Sequence, residues 1–266
     1  MEDASANIVA AGYNAVFGAT HGSPTLQRLW RRLAAGDDYP EDLPHISFVT
    51  LSQLRRMAGE LHLQPGQTLV DLGCGMAGPA LWMARETGAR LIGVDLSPVA
   101  VALASERAQQ LGLSSVARFV VGTFADTGLE GASVDAAMSE DALQYAPDKR
   151  SAITEAARIL RAGARIAFTA FELEPDHVAG LPVLGTDPVS DYRPLLIEAG
   201  FIVHVYEEVP GWPEPTRTAY QALLDAGDAL IEEMGETAAT ALFSELTLTL
   251  EREPYRRRIL AVANRR

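Results

Sequence analysis

The chain has 266 residues, of which 48% are hydrophobic and 21% charged, a composition typical of a globular protein with a sizeable core. Its 35 acidic and 22 basic residues give a net charge of -13, which argues against tRNA, rRNA or DNA as a partner. The single cysteine excludes an intramolecular disulfide, and the acidic N-terminus lacks the pattern of a signal peptide. No stretch approaches the roughly 20 apolar residues of a membrane helix. We therefore expect a soluble cytoplasmic protein.

The first part of the chain reads as helices with breaks at 22–24 and 39–44, and we expect residues 1–64 to form a helical lid. From residue 65 short apolar runs alternate with helical patterns, which is typical of βαβ units and a parallel sheet. We therefore predict an α/β core over residues 65–266. Its first five strands are predicted at 68–72, 90–94, 117–121, 134–138 and, after a turn at 160–165, 165–171.

Helices connect these strands, and the second of them carries clear boundary signals. Ser97 and Pro98 supply an N-cap and a first-turn proline, and Gly112 stands just past the end. We expect substrate-capping insertions at about 174–194 and 210–252. The further predictions are helices at 77–87, 97–111, 147–160, 192–199 and 214–252, the last with one break at 234–236, and strands at 201–207 and 257–263.

A glycine-rich turn follows the first predicted strand. Gly73, Gly75 and Gly78 have G-x-G-x-x-G spacing between a strand and a helix. Glycines alone indicate a sharp turn that lets another group approach closely, and a tight turn with nothing bound is the alternative. Asp95 ends the next strand, 20 residues after Gly75, where a carboxylate accepts hydrogen bonds from ribose hydroxyls. The pattern therefore favours a ligand that contains ribose.

Asp71, two residues before the first glycine, indicates which ligand this is. In a dinucleotide site a pyrophosphate lies over the turn, and a neighbouring carboxylate would repel it. S-adenosylmethionine has no phosphate and carries an ammonium group, for which Asp71 is a suitable direct or water-bridged neighbour. Asp71 therefore favours S-adenosylmethionine over a nicotinamide dinucleotide, and an NAD-dependent oxidoreductase is the less favoured interpretation.

The run VDLGCGMAG at 70–78, followed by GVDLS at 93–97, resembles the first two motifs of class I S-adenosylmethionine-dependent methyltransferases. The resemblance extends over about residues 65–173 and is strongest to the small-molecule group, which includes natural-product, sugar and sterol or quinone methyltransferases. It implies a Rossmann-like α/β fold whose seven-stranded sheet is mostly parallel with one antiparallel strand. It also implies methyl transfer from S-adenosylmethionine to a small molecule.

The resemblance also identifies candidate contacts to the cofactor. Thr123 stands where the family usually has an Asp that reads the adenine, so that contact is altered, whereas the backbone contact at Phe124 is retained. The Phe124 ring is a candidate to stack on the base, and an ordinary core aromatic is the alternative. The expected cofactor-binding residues are Asp71, Gly73, Cys74, Gly75, Asp95, Leu96, Thr123, Phe124 and Ser139.

The catalytic candidates are carboxylates at the strand ends and one histidine. Methyl transfer depends chiefly on holding nucleophile, methyl carbon and sulfur in line, and a base is needed only when the nucleophile must lose a proton. Related O-methyltransferases carry a histidine where this chain has Gln144 or Tyr145. The remaining candidates are Glu140, Asp141, Glu172 and, in the lid, His45. For Glu140 and Asp141 the alternatives are a solvated side chain and a helix cap, respectively.

The other side chains suggest the type of substrate. Aromatic residues in the lid and tail favour an apolar or aromatic acceptor, and packing of lid against core is the alternative explanation. The histidines have no metal-ligand spacing, so we expect no metal site. The absent histidine also leaves open a second function, a cyclase, isomerase or binding protein that keeps the cofactor without methyl turnover. The aromatic residues in question are Tyr13, Phe17, Trp30, Phe48, Trp212 and Tyr220.

Overall fold

A computed structural model of the chain describes residues 17–40, 43, 45–173 and 188–266. Its centre is a seven-stranded sheet with the spatial order β3-β2-β1-β4-β5-β7-β6. β7 runs antiparallel to both neighbours, and the other pairings are parallel, which confirms the predicted fold class. The strands are β1 (Thr68–Leu72), β2 (Arg90–Asp95), β3 (Ala117–Val121), β4 (Val134–Glu140), β5 (Leu160–Leu173), β6 (Phe201–Glu208) and β7 (Arg256–Arg265).

Helices cover both faces of this sheet. Residues 17–22 are helical, a π-helical turn spans Arg31–Ala35, and short 3₁₀ turns occupy Gly36–Asp38, Leu143–Tyr145 and Glu253–Tyr255. The α-helices are α1 (Pro24–Trp30), α2 (Leu51–Leu61), α3 (Gly78–Thr87), α4 (Pro98–Gln110), α5 (Lys149–Ile159), α6 (Arg193–Glu198), α7 (Pro213–Asp225), α8 (Gly227–Met234) and α9 (Glu236–Arg252).

Local signals explain where several of these helices begin. The Ser97 side chain accepts a hydrogen bond from the Ala100 backbone N–H, and Pro98 opens the first turn of α4, as predicted. Thr50 caps α2 in the same way and forms a reciprocal capping box with Gln53. These caps satisfy backbone N–H groups that a helix start otherwise leaves without partners.

Two boundary predictions were wrong. The turn expected at 160–165 belongs to β5, because Leu160 already pairs with Val134 and the strand then bulges before Arg165 pairs with Ala136. The bulge sets four residues of β5 (161–164) opposite one residue of β4 (135), so three extra residues are accommodated without ending the strand. The tail helix expected at 214–252 is interrupted twice, at Ala226 as well as at the predicted Gly235.

The hydrophobic core lies on both faces of the sheet. One cluster joins α5 and α6 to the face that contains Val70 and Phe168. The larger cluster lies on the opposite face, beneath α2 and α3, and extends to α1, α7 and α9. The strand order reverses between β1 and β4, since β2 follows on one side and β5 on the other. In open α/β sheets ligands bind at such a reversal, outside the carboxyl ends of the strands.

The N-terminal segment (described residues between 17 and 61) packs on the tail helices, which are α7, α8 and α9. Ser23 and Thr25, at the start of α1, donate hydrogen bonds to the Glu233 carboxylate of α8. Trp30 and Tyr220 lie with ring centroids 6.0 Å apart. The two regions expected as lid and cap therefore contact each other on one side of the sheet.

No helix of the described part of the chain has the length and apolar character needed to cross a membrane.

Candidate active site

The glycine turn between β1 and α3 lies at the strand-order reversal. Gly73 and Gly75 have φ values of 76° and 50°, which favour glycine because a side chain there is strained. A Cβ on Gly73 would lie 2.7 Å from both the Ala142 Cβ and the Phe124 ring. The turn therefore contacts the segment that follows β4, and its glycines are required by conformation and by space.

Asp95 faces the same turn from the end of β2. Its carboxylate accepts hydrogen bonds from the backbone N–H groups of Gly75 at 2.8 Å and Ser97 at 2.9 Å. Burial raises the pKa of Asp95, and these two N–H groups oppose that rise. Since a carboxylate has about four acceptor sites, both oxygens retain capacity for hydroxyl donors.

Asp71 is a buried carboxylate with an unsatisfied oxygen. The residue is 2% exposed, and its Oδ1 has no hydrogen-bond partner among the described residues. Burial, followed by the negative charge of Asp95, raises the pKa of Asp71 to about 8. A buried polar atom without a partner costs free energy, so in a folded protein it usually has an explanation such as a ligand or an ordered water.

Glu140 lies on the neighbouring strand and has the same property. Asp71 pairs with Met138, so Glu140, two residues further along β4, projects from the same face of the sheet. Glu140 is 8% exposed, and its Oε1 has no partner in the described ranges. Burial raises its pKa well above the usual range, and the charges of Asp71 and Asp141 raise it further.

Asp141 follows Glu140 but is fully engaged in contacts. The Arg258 guanidinium of β7 donates to both of its oxygens, at 2.8 and 3.0 Å, in a pair that is almost completely buried. The backbone N–H of Phe48 donates to Oδ2 at 2.8 Å, and Gln53 accepts from the same guanidinium at 3.1 Å. The ion pair therefore ties β4 and β7 to the N-terminal segment, and nothing in the sequence pattern indicated Arg258.

Glu172 does not join the other carboxylates, contrary to the expectation that it lies at the same mouth. Thr169 pairs with Glu140, so Glu172, three residues further, projects from the opposite face of the sheet. There it accepts hydrogen bonds from Arg257 at 2.8 Å and from the Tyr206 hydroxyl. Strand alternation from Glu140 could have revealed this separation.

His45 lies beside the glycine turn. It is 7% exposed and stacks on Tyr39 with centroids 4.7 Å apart, and its Nδ1 is 3.1 Å from the Ser47 hydroxyl. Its Nε2 has no partner within the described chain. Burial lowers the pKa of His45 to about 4, so the ring is neutral at physiological pH. It borders a cavity of about 80 Å³ together with Trp30, Met76 and Arg107.

The remaining cofactor candidates do not all face the glycine turn. The Thr123 hydroxyl accepts from the Asp126 N–H at 2.9 Å within a local turn, and the half-buried Phe124 ring packs against Gly73. Cys74 is buried beside Gly93, and Leu96 is half-buried after β2. Ser139 projects away from Asp71 and donates to the Leu72 carbonyl at 2.7 Å, which ties β4 to β1.

The expected aromatic residues mostly pack on one another. Trp30 and Phe48 have ring centroids 4.9 Å apart, and Phe48 and Tyr220 have centroids 5.6 Å apart. Trp212 packs on Phe171 of β5 at 5.2 Å. Phe17 lies against Gly75, and Tyr13 falls outside the described residues. These contacts join the N-terminal segment to the tail and the sheet, as the packing alternative supposed.

Comparisons with known proteins agree with this geometry. A family model described as a methyltransferase domain matches residues 70–168. The 27-O-demethylrifamycin SV methyltransferase of Amycolatopsis mediterranei (strain S699) is 26% identical over 229 residues, 82% of each chain. Methyltransferase GfsG of Streptomyces halstedii is 28% identical over 187 residues, 66% of each chain. The crystal structure of the [4+2]-cyclase SpnF superposes with a TM-score of 0.69 over 80% of each chain at 22% identity, which shows a shared fold.

Proposed function

The chain belongs to the class I S-adenosylmethionine-dependent methyltransferases, and from this premise we propose that it methylates a small organic acceptor of secondary metabolism. The name of the Amycolatopsis relative supports a small organic acceptor. The net charge of -13 also supports a small molecule over a nucleic acid.

The unsatisfied Asp71 oxygen beside the glycine turn is the observation that carries this proposal. S-adenosylmethionine fits these residues, because its ammonium group supplies the donor that Asp71 lacks and its ribose hydroxyls match the remaining acceptor sites of Asp95. The glycines let the chain approach a ligand closely. The bound cofactor supplies an electrophilic methyl group on a sulfonium.

Binding requires a local rearrangement. A pocket for a ligand of this size has a volume of at least about 300 Å³, whereas the cavity that His45 and Met76 border measures about 80 Å³ and is lined by neither Asp71 nor Asp95. The rings of Phe17 and Phe124 lie against the two glycines. We infer that these rings move aside when the cofactor binds, and that the N-terminal segment and the tail helices enclose the acceptor as a lid.

The chain contributes to the reaction mainly by orientation. Asp71 and Asp95 fix the two ends of the cofactor, and the covering helices exclude water from the acceptor. Asp141 is committed to Arg258, Glu172 lies on the other face and burial favours the protonated form of Glu140, so His45 is the best placed candidate base of the four. Its neutral ring has an unpartnered Nε2 that can accept a proton from a hydroxyl or an amine.

Turnover with a panel of small apolar and aromatic acceptors tests this proposal. Formation of S-adenosylhomocysteine together with a product 14 mass units heavier, roughly the mass of one CH₂ group, is the expected result. For an acceptor that loses a proton, His45→Gln should lower kcat by about 10²-fold and leave cofactor affinity unchanged. No methylated product from any acceptor would contradict the proposal, and full activity of His45→Gln would remove His45 from the mechanism.

A cyclase without methyl turnover is the second candidate function. Two observations favour it, the likeness to the [4+2]-cyclase SpnF and the presence of Gln144 and Tyr145 where related O-methyltransferases carry histidine. Such an enzyme would convert a polyunsaturated substrate into a product of equal mass without consuming S-adenosylmethionine. Stoichiometric formation of S-adenosylhomocysteine would exclude this second function.

A further inference from the structure

Two carboxylates flank the strand-order reversal on the same face of the sheet. Asp71 lies on β1 and Glu140 on β4, and these strands are hydrogen-bonded neighbours. Asp71 is in register with Met138, so Glu140 is one same-face position closer to the carboxyl end. The segment after Glu140 returns to the glycine turn, because Ala142 lies against Gly73. Both carboxylates therefore border the turn.

Each of the two carboxylates keeps one buried oxygen without a partner among the described residues. Asp71 is 2% and Glu140 8% exposed, so bulk water does not compensate for the missing contacts. A single such atom is unusual in a folded protein, and two on adjacent strands can share one hydrogen-bond donor. Both would be satisfied by a donor that carries positive charge and several hydrogens.

The charged groups that surround the pair in the described structure do not supply such a donor. Asp95 from β2 adds negative charge, and the buried Cys74 thiol from the turn is uncharged because burial and the nearby carboxylates raise its pKa. Asp141 also lies close to Glu140. Arg258 from β7 is the nearby cation, and its nitrogens donate to Asp141 and Gln53. In the described structure, the pair therefore lacks a cation of its own.

We propose that Asp71 and Glu140 together bind the ammonium group of the cofactor, and that this group displaces a proton that the pair holds in the unliganded protein. The inference rests on the proposed function and adds Glu140 to the residues that hold the cofactor. The exchange is balanced, since one carboxyl releases a proton to solvent and the resulting carboxylate accepts N–H donors from the ammonium group.

The pKa values of the pair support such an exchange. Burial raises the pKa of Asp71 to about 8, so this carboxyl is largely protonated below neutral pH, and burial followed by the charge of Asp71 raises the pKa of Glu140 well above its usual range. A bound cation favours the ionised form. Affinity for the cofactor should consequently increase about tenfold per pH unit for each proton released.

Calorimetry with S-adenosylhomocysteine tests the inference in buffers of different ionisation enthalpy. Between pH 6 and 7 the ligand's own amino group, with a pKa of about 8, stays charged. Wild-type protein should release about one proton on binding. Glu140→Gln and Asp71→Asn should each weaken binding about tenfold or more, since each loses a charge-assisted hydrogen bond. Each single variant should still release a proton from its remaining carboxyl, and the double variant should release none.

A ligand without the ammonium group provides the matched comparison. 5′-Methylthioadenosine has the same nucleoside and lacks the amino-acid part, so its binding should release no proton and should be unaffected by either substitution. Glu207→Gln, at an exposed carboxylate of β6 that pairs with Arg56 of α2, should behave as wild type. Thermal unfolding of each variant verifies that it is folded, since an amide has nearly the shape of a protonated carboxyl.

Three results would overturn the inference. They are wild-type affinity in Glu140→Gln, complete loss of proton release in Asp71→Asn alone, and an equal effect of Glu140→Gln on 5′-methylthioadenosine. Failure of the wild-type protein to bind either nucleoside would instead contradict the proposed function itself, so the two failures are distinguishable.

Discussion

At the scale of single residues, the site is defined by carboxylates whose surroundings differ. Asp95 is satisfied by two backbone N–H groups, and Asp141 is satisfied by Arg258. Asp71 and Glu140 each retain an unsatisfied buried oxygen among the described residues. All four lie near the carboxyl ends of the strands. Contacts within the protein orient Asp95 and Asp141, whereas Asp71 and Glu140 each have an oxygen that no described group contacts by a hydrogen bond. This difference, which composition cannot reveal, singles out Asp71 and Glu140 as the carboxylates with a buried oxygen that lacks a donor, whereas Asp95 keeps acceptor sites beyond its two backbone contacts.

The pKa of Asp71 makes a prediction about stability. Its folded-state pKa is about 8, against an ordinary value of 3.8, so between these values the folded state binds more protons than the unfolded state. The free energy of unfolding therefore falls as pH rises through this range. Asp71→Asn should be more stable than wild type at pH 8, by on the order of 5 kcal/mol at about 1.4 kcal/mol per pKa unit, with a smaller difference at pH 5.

Urea denaturation at several pH values measures this effect. Glu207→Gln is the control, because its exposed carboxylate should give a difference from wild type that is nearly constant with pH. A stability difference for Asp71→Asn that stays constant from pH 5 to pH 8 would show that Asp71 is ionised in the folded protein.

At the scale of elements, most of the sheet was predictable from the sequence. Apolar runs gave the strands, and the Ser97-Pro98 start and Gly112 end gave α4, because these signals act locally. The β5 bulge was not predictable, since it arises from pairing with β4. Strand alternation predicts the face on which Glu172 lies, but only once the register of β5 with β4 is known.

The part of the site that escaped prediction depends on contacts distant in sequence. Asp141 and Arg258 are separated by 117 positions, and no spacing rule connects them. Glycine spacing and acidic strand ends predicted the turn that we propose as the cofactor site, because they are short patterns with a chemical meaning. The role of Asp141 could be recognised only after β5 and β7 had brought Arg258 beside it.

The buried Asp141–Arg258 pair predicts how the N-terminal segment is held. Arg258→Met leaves the Asp141 charge without its partner and should cost about 3 to 5 kcal/mol of unfolding free energy. Phe48 and Gln53 also contact this pair. Amide hydrogen exchange in the variant should therefore increase more over residues 45–53 than in the sheet, relative to wild type.

The exposed pair of Arg56 with Glu207 is the matched comparison for this prediction. Arg56→Met should cost less than about 1 kcal/mol and leave exchange in residues 45–53 unchanged. Equal stability losses for Arg258→Met and Arg56→Met would show that the buried pair does not hold the segment.

At the scale of the whole molecule, the N-terminal segment reaches the strand-order reversal, where Phe17 lies against Gly75 and Phe48 donates to Asp141, and the tail helices pack on this segment. The net charge of -13 and the similarity to the Amycolatopsis methyltransferase are consistent with the small acceptor that we propose. The rings of Phe17 and Phe124 lie against the glycine turn, so we expect the cofactor to select a more open arrangement of the same fold.

Calorimetric titration of the wild-type protein with S-adenosylhomocysteine and with NAD, repeated on Gly73→Val, determines which of the two cofactor types the glycine turn binds. We predict micromolar or tighter binding of S-adenosylhomocysteine, roughly in the range of enzyme cofactor sites, and no measurable binding of NAD. Gly73→Val should bind neither, because its Cβ would lie 2.7 Å from Ala142 and its φ of 76° disfavours a branched side chain. Binding of NAD without S-adenosylhomocysteine, or undiminished affinity in folded Gly73→Val, would contradict the assignment of this turn as the cofactor site.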